Sequence, residues 1–458
     1  MSKSNDRMVL EVSELFTKLK LKNYKSLVDI EFDLTKNKKP KNIILIYGEN
    51  GAGKSNIASA FFTLSDIIET LSVKERLQNF LEDKNIDKLD ENEKIELLNV
   101  LKRNLKDTET IIKECKTIDS DENMLLEYEF ELNDKKGKYT IEMNDEEIVK
   151  EELKYVIDKN IGSYFNIESD KKINLNNTIF KEKKYQEELK EKIEKFWGKH
   201  SFLSIINNDK NNYNKEYFKD KLSENLLDVL MFIKGLTCRI NIGDSEERGK
   251  YRVSNKIFPN LLNGKIKKEE EEELVLVEDF LNEIYTNLYS DIKNIYYDKK
   301  IEGEEIEYRL FSQKMIGGSI RNIDFGLEST GTLNILNLIP SLYEAVRGRV
   351  VILDEFDSGI HDIMVRNLLT SVNEYINGQL IITTHNTLLM ESDIDSDSIY
   401  FISIDELGNK EILCLNDYEK RTHPNHNRRD LYLRGIYNAI PLVRELDFDE
   451  LEDILSKE

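Results

Sequence analysis

The stretch YGENGAGKSN at residues 47–56 restricts what this chain can fold into more than any other. It fits the pattern G-x-x-x-x-G-K-[ST] through Gly48, Gly53, Lys54 and Ser55, directly after the apolar run at 43–47. A continuous apolar run of that length reads as a strand buried on both faces. The residues from 55 to about 70 read as a helix. In such a strand–loop–helix, the backbone N–H groups of the glycine-rich turn and the positive end of the helix point at phosphate. Lys54 is placed to reach the β- and γ-phosphates of a nucleotide and the Ser55 hydroxyl to hold Mg2+, while Gly48, Asn50, Gly51, Gly53 and Asn56 line the loop.

Three later stretches complete the pattern. RVVILDEFDSG at 349–359 describes a buried strand ending in Asp354, where Mg2+ is held in sites of this kind. Glu355 follows at once, placed to orient or deprotonate an attacking water, which favours hydrolysis over mere binding. LESTGTLNIL at 327–336 sets Ser329, Thr330, Gly331 and Thr332 at the start of an apolar helix. That is an N-cap cluster and, alone, would need no ligand. QLIITTHN at 379–386 is another buried strand, ending in Thr383, Thr384 and His385. A lone histidine after a strand is ordinarily structural; the order of the four stretches gives this one a role.

Around these motifs the chain divides. Residues 15–24 and 28–34 read as strands, the second by the alternation of Val28, Ile30, Phe32 and Leu34. From 72 to 117 the text is rich in Lys, Glu and Leu at helical spacing. A hairpin follows at 124–144 about the turn NDKKG, and 160–295 reads as mostly helical and hydrophilic, with the run EEEEE at 269–273 opening one helix on a solvated face. Strand and helix alternate again after 305, ending in a hairpin about Gly408. The expected architecture is an α/β head with a mixed sheet and flanking helices. Its N-terminal part spans 1–72 and its C-terminal part 305–440; a mainly helical insertion at 73–304 separates them, and an acidic tail follows at 441–458.

Composition excludes several classes. The 458 residues carry a net charge of −22, which argues against sequence-blind DNA binding, although 66 Lys and Arg leave room for a local basic groove. No apolar run approaches a membrane span and no signal pattern opens the chain, so a cytoplasmic protein without membrane partners is expected. Cys115, Cys238 and Cys414 are isolated and odd in number, which indicates neither disulfides nor a zinc site. In KRTHPNHNRRDLYLRG at 420–435, His423 and His426 lack a third ligand. That basic run reads as a solvated loop or as a docking surface for nucleic acid or an acidic partner.

The motif order resembles the ABC-type ATPase head in its non-transporter branch, the SMC, RecF and OLD-like proteins. The resemblance implies ATP and Mg2+, and two heads that sandwich two nucleotides as a homodimer or higher homo-oligomer. It implies that Ser329 and Gly331 act on the nucleotide of the other head, that Asp357 and Ser358 couple the two sites, and that His385 senses the γ-phosphate. LKLKNYKSLVDIEF at 19–32 is similar to the opening strand pair of that branch, with Lys25 and Ser26 against the nucleotide. ESTGT replaces the transporter LSGGQ, which speaks against a transport cassette. The glutamine that follows the first lobe in that family has no evident counterpart, since Gln78, Gln186 and Gln313 all fit poorly by context.

ESTGT, DEFDSGIH, QLIITTHNTLL and YLRGIYNAIP, with WGKHSFLSII at 197–206, further resemble the ATPase subunits of bacterial phage-defence pairs such as PARIS and AbiL-type abortive infection. That implies an ATP-gated switch controlling a separate effector, a nuclease or toxin. OLD-family proteins continue into a nuclease domain, whereas about 20 residues follow Pro441, so the damaging activity is expected on another chain. The alternative is a RecF- or SMC-like DNA-binding repair ATPase.

Overall fold

A computed structural model describes residues 14–81, 106–157, 159–170, 172–212, 218–242, 246–250, 252–253, 255–419, 427–441, 448 and 452. The readings that involve His423 and His426, most of the acidic tail and much of the helical stretch before 106 lie outside these residues.

The central sheet has seven strands in the order β12-β11-β17-β18-β5-β19-β20. These are β5 (Ile43–Gly48), β11 (Thr237–Ile242), β12 (Glu246–Lys250), β17 (Val350–Leu353), β18 (Gln379–Thr383), β19 (Ile399–Ile404) and β20 (Lys410–Cys414). The five inner strands run parallel, and β12 and β20 close the edges antiparallel. Period-two alternation splits four of the five inner strands, β5, β17, β18 and β19, between two cores. Ile44, Ile46, Ile352 and Ile381 face one, while Leu45, Tyr47, Leu353 and Ile382 face the other. Burial on both faces explains why these strands read as continuous apolar runs.

The first core packs helix α1 (Lys54–Ile67) between the central sheet and a second seven-stranded sheet. That sheet has the order β10-β9-β8-β7-β6-β1-β2. It joins β1 (Glu14–Tyr24) and β2 (Leu27–Asp33) to a meander of β6 (Met124–Leu132), β7 (Lys135–Met143), β8 (Ile148–Ile157), β9 (Asn160–Glu168) and β10 (Ile173–Leu175). A two-residue ladder, β3 (Thr35–Lys36) with β4 (Lys39–Pro40), lies between β2 and β5 in the chain. Gln379, fully buried, ties the two large sheets: its Oε1 accepts from Phe16 N at 2.9 Å and its Nε2 donates to Phe16 and Lys41 carbonyls, each at 2.9 Å. Along the chain, α2 (Thr70–Leu81), α3 (Thr108–Cys115), α4 (Lys183–Phe196), α5 (Phe202–Asn212) and α6 (Glu224–Lys234) follow α1.

The second core packs α7 (Glu271–Leu288), α8 (Thr330–Val346) and α9 (Asp362–Tyr375) with a four-stranded sheet. Its strands are β13 (Asn263–Lys267), β14 (Ile292–Glu302), β15 (Glu305–Ile316) and β16 (Ser319–Asp324). The stretch at 160–295, expected to be mostly helical, is therefore corrected. It holds α4 to α7, but also β9 to β13 and the start of β14. Among these strands β12 (EERGK) and β13 (NGKIK) are short and carry Lys and Glu, residues of good helix propensity, and pairing with distant partners overrides that local preference. Among the described residues no helix is long and apolar enough to cross a membrane.

Candidate functional site

Parallel order brings the ends of β5, β18 and β17 to one rim. Register aligns Ile46 with Thr383 and Leu45 with Ile382, and Ile382 in turn with Leu353. The loops that follow therefore converge outside the carboxyl ends of adjacent strands, where open α/β sheets bind ligands. β18 lies between the strand that opens the phosphate loop and the strand that ends before Asp354.

Three observations define the shape of the loop. Gly51 and Gly53 adopt φ of +82° and +104°, left-handed values that other residues rarely take. A Cβ on Gly53 would lie 2.9 Å from Leu27 Cδ2, so a side chain there would displace that methyl group in addition to straining the backbone. Lys54 is buried, and its ammonium donates to the carbonyls of Gly48 at 2.9 Å and Glu49 at 3.1 Å. Burial pushes its pKa down against the opposing pull of Asp354, Glu355, Asp357 and Glu49. Ser55 and Asn56 are half-buried on the first turn of α1, and Asn50 is exposed at the loop tip.

Asp354 is 3% exposed, and its Oδ1 accepts the hydroxyl of Thr383. The same Thr383 Oγ1 accepts the N–H of Glu355 at 2.9 Å. Glu355 has φ of +49°, a strained conformation for a residue with a side chain, and its side chain is exposed. His385 N donates to Asp357 Oδ2 at 3.4 Å. Asp357 Oδ1 is buried without a hydrogen-bond partner among the described residues. Partial burial, then the nearby Lys54 charge, lowers the pKa of the His385 imidazole, although three carboxylates oppose this.

Ser329 and Gly331 lie elsewhere on the rim. Ser329 caps α8, its Oγ accepting Thr332 N at 3.3 Å. Gly331 meets the loop after β17 closely: a Cβ there would lie 2.9 Å from Gly359 O. Asn334 Nδ2 donates to Ser358 O at 2.9 Å. Just before the cap, Glu328 accepts from Ser312 at 2.6 Å and pairs with Lys314 at 2.7 Å. Among the described residues no hydrogen bond joins Ser329 or Gly331 to the phosphate loop. Lys25, at φ of +52°, sends its ammonium back to Ser59 Oγ on α1 at 2.9 Å, and the exposed Ser26 hydroxyl accepts from Asn56 Nδ2 at 2.7 Å.

The donor set suits Mg2+, which takes few protein ligands and completes its shell with phosphate oxygens and water. Ser55 and Asp354 would provide one hydroxyl and one buried carboxylate for it. Among the described residues there is no cluster of three or more His, Cys, Asp or Glu side chains of the kind a resident metal requires. Sequence reasoning noted Thr383 only as a strand end and gave Lys410, which touches the phosphate loop, no role. The doublet in TTHN was the available signal for Thr383; nothing in the local sequence marks Lys410.

Fold and site together define an α/β nucleotide-binding head of the P-loop class. The family described as "AAA domain, putative AbiEii toxin, Type IV TA system" matches residues 43–391, and the protein belongs to that family. Among solved structures the chain is similar to the SMC head domain from Thermotoga maritima, at 13% identity over 87% of this chain and 98% of that one, with a TM-score of 0.37. It is also similar to an SMC head bound to the C-terminal winged-helix domain of ScpA, at 12% identity over 89% and 99%, with a TM-score of 0.43. An SMC head with an extended coiled coil, bound to a ScpA domain derived from Pyrococcus furiosus, gives 13% identity over 89% and 98% and a TM-score of 0.41. No curated protein sequence matches the chain.

Proposed function

We propose that this protein is an Mg2+-dependent ATPase that works as a cytoplasmic switch, closing head to head on ATP and controlling a separate effector protein in anti-phage defence. The observation that carries the chemistry is the convergence of Lys54, Asp354, Glu355 and His385 at the ends of three adjacent parallel strands. Lys54 exchanges the carbonyls of Gly48 and Glu49 for phosphate oxygens. Glu355 takes a proton from the water that attacks the γ-phosphorus, the bond to the bridging oxygen breaks, and ADP and phosphate leave. His385 donates a hydrogen bond to the γ-phosphate. Ser55 and Asp354 would hold Mg2+, which would supply charge neutralisation on the phosphate oxygens.

Closure is supported by the place of Ser329 and Gly331. In their own chain they meet Ser358 and Gly359 rather than the phosphate loop, so a second head would bring a capping helix start to the nucleotide. The effector role rests on the resemblance to phage-defence ATPases and on the family to which the chain belongs.

The test is to trap Glu355→Gln with ATP and Mg2+ and measure its mass by light scattering, with Lys54→Ala as control. A doubled mass in the first and a monomer in the second support closure; equal masses overturn it. Trapping the same variant in extract of the native host then separates the two readings. A stoichiometric second protein supports the switch, and nuclease-sensitive DNA without a protein partner favours the repair ATPase.

A further inference from the structure

We propose that Lys410 is a phosphate-binding residue of the same site, a second cation that grips the nucleotide's phosphate chain from the outer face of the loop. This rests on the reading that the loop holds ATP. β19 pairs parallel with β5, with Ile402 opposite Gly48, and turns back into β20 with Ile404 opposite Lys410. The edge hairpin therefore carries Lys410 past the carboxyl end of β5, beside the phosphate loop. Its ammonium donates to Gly51 O at 2.9 Å and to Ser26 Oγ, the hydroxyl that also receives Asn56. Its stem lies over Gly53, where a Cβ would come within 3.5 Å of Lys410 Cδ. Three segments far apart in sequence thus meet on one side of the loop.

The electrostatics give this contact a direction. This is an acidic chain in which some partly buried lysines pair with carboxylates, Lys250 with Asp66 at 2.8 Å and Lys192 with Asp209 at 2.6 Å, while others, Lys234 on Asn207 at 2.8 Å among them, bond neutral groups. Among the described residues Lys410 forms no ion pair; it rests against a neutral carbonyl and a neutral hydroxyl. Burial lowers its pKa with no carboxylate opposing the shift. A partly desolvated ammonium with no counter-charge, on a loop built to receive anions, is completed by the anion. Ammonium–phosphate hydrogen bonds are about twice as strong as neutral ones, and lysine supplies three donors.

The test is titration of fluorescent ATP and ADP analogues with Mg2+ into the native protein and its Lys54→Ala, Lys410→Ala, Lys410→Gln and Lys410→Arg variants, with thermal unfolding in parallel. Loss of one charge-assisted contact predicts about tenfold weaker binding of both nucleotides by Lys410→Ala and Lys410→Gln, and near-native binding by Lys410→Arg. Native affinity in Lys410→Gln would overturn the proposal, because an uncharged donor to Gly51 O would then suffice. So would native affinity in Lys410→Ala. If Lys410→Ala lowers the unfolding temperature, the comparison of Gln with Arg decides. A native protein that binds neither nucleotide overturns the reading of the site itself. Binding lost in Lys54→Ala but kept in the Lys410 variants overturns only the role of Lys410.

Discussion

The Thr383 hydroxyl donates to Asp354 Oδ1 while accepting the backbone N–H of Glu355 at 2.9 Å. One buried hydroxyl on the central strand thus orients the carboxylate assigned to the cation and fixes the strained backbone of the residue assigned to the water. Thr383→Val preserves shape and removes both bonds. We expect kcat to fall about 10- to 100-fold with little change in nucleotide affinity, measured by steady-state ATPase kinetics.

Lys54 and Glu355 separate binding from turnover. Lys54→Ala should weaken ATP binding on the order of 100-fold, because the buried positive charge of the loop is lost. Glu355→Gln should keep native affinity and lower the single-turnover rate by about 10²- to 10⁴-fold. If both variants hydrolysed ATP at the native rate, the site assignment would fail.

His200 provides a pH-dependent stability. It is 3% exposed, bonds Thr70 Oγ1 through Nδ1 at 3.2 Å, and has its pKa pushed down to about 4 by burial, with the Lys74 charge adding. Between the unfolded value of about 6.5 and this folded value the unfolded chain binds the proton and the native chain does not. Stability is therefore fully present above about pH 6.5 and is lost as pH falls toward 4. Urea unfolding of the native protein should lose about 2 kcal/mol more between pH 7 and pH 5 than that of His200→Gln over the same interval.

Glu151 is the central buried acceptor of the second sheet. Fully buried on β8, it accepts from Tyr139 OH at 2.9 Å, Trp197 Nε1 at 3.0 Å, Phe202 N at 2.6 Å and Leu203 N at 3.2 Å. It thereby caps α5, whose Ser204 bonds Thr70 and Leu71 beyond the end of α1. Glu151→Ala strands four donors and should cost about 3–5 kcal/mol in denaturant unfolding.

Gly331→Ala tests the capping helix. Its Cβ would press on Gly359 O at 2.9 Å, backbone against side chain, so α8 must shift from the loop after β17. We expect native ATP affinity, because the contact lies away from the phosphate loop. ATP-driven doubling of mass in the Glu355→Gln background should be lost, as read by light scattering.

The elements that carry the chemistry were legible because each is specified locally. A buried strand is a run of apolar residues, a phosphate loop requires glycines at fixed offsets, and Ser329 marks a helix start by its own side chain. The stretch at 160–295 was misread for the complementary reason. Nothing in EERGK at 246–250 says strand; β12 exists because β11 offers it an edge.

By itself, then, the sequence determined the parallel head and the order of its motifs, and it singled out Lys54, Asp354, Glu355 and His385 as the candidates for the chemistry. Only the tertiary structure decided that β18 separates β17 from β5, which sets Thr383 between Asp354 and the phosphate loop. It also decided that residues 124–175 pair into one sheet with β1 and β2, and that Lys410 lies on Gly51 and Ser26. The physical reason is common to all three. Strand pairing joins segments hundreds of residues apart, and its energy belongs to the partners together, so no local pattern records it.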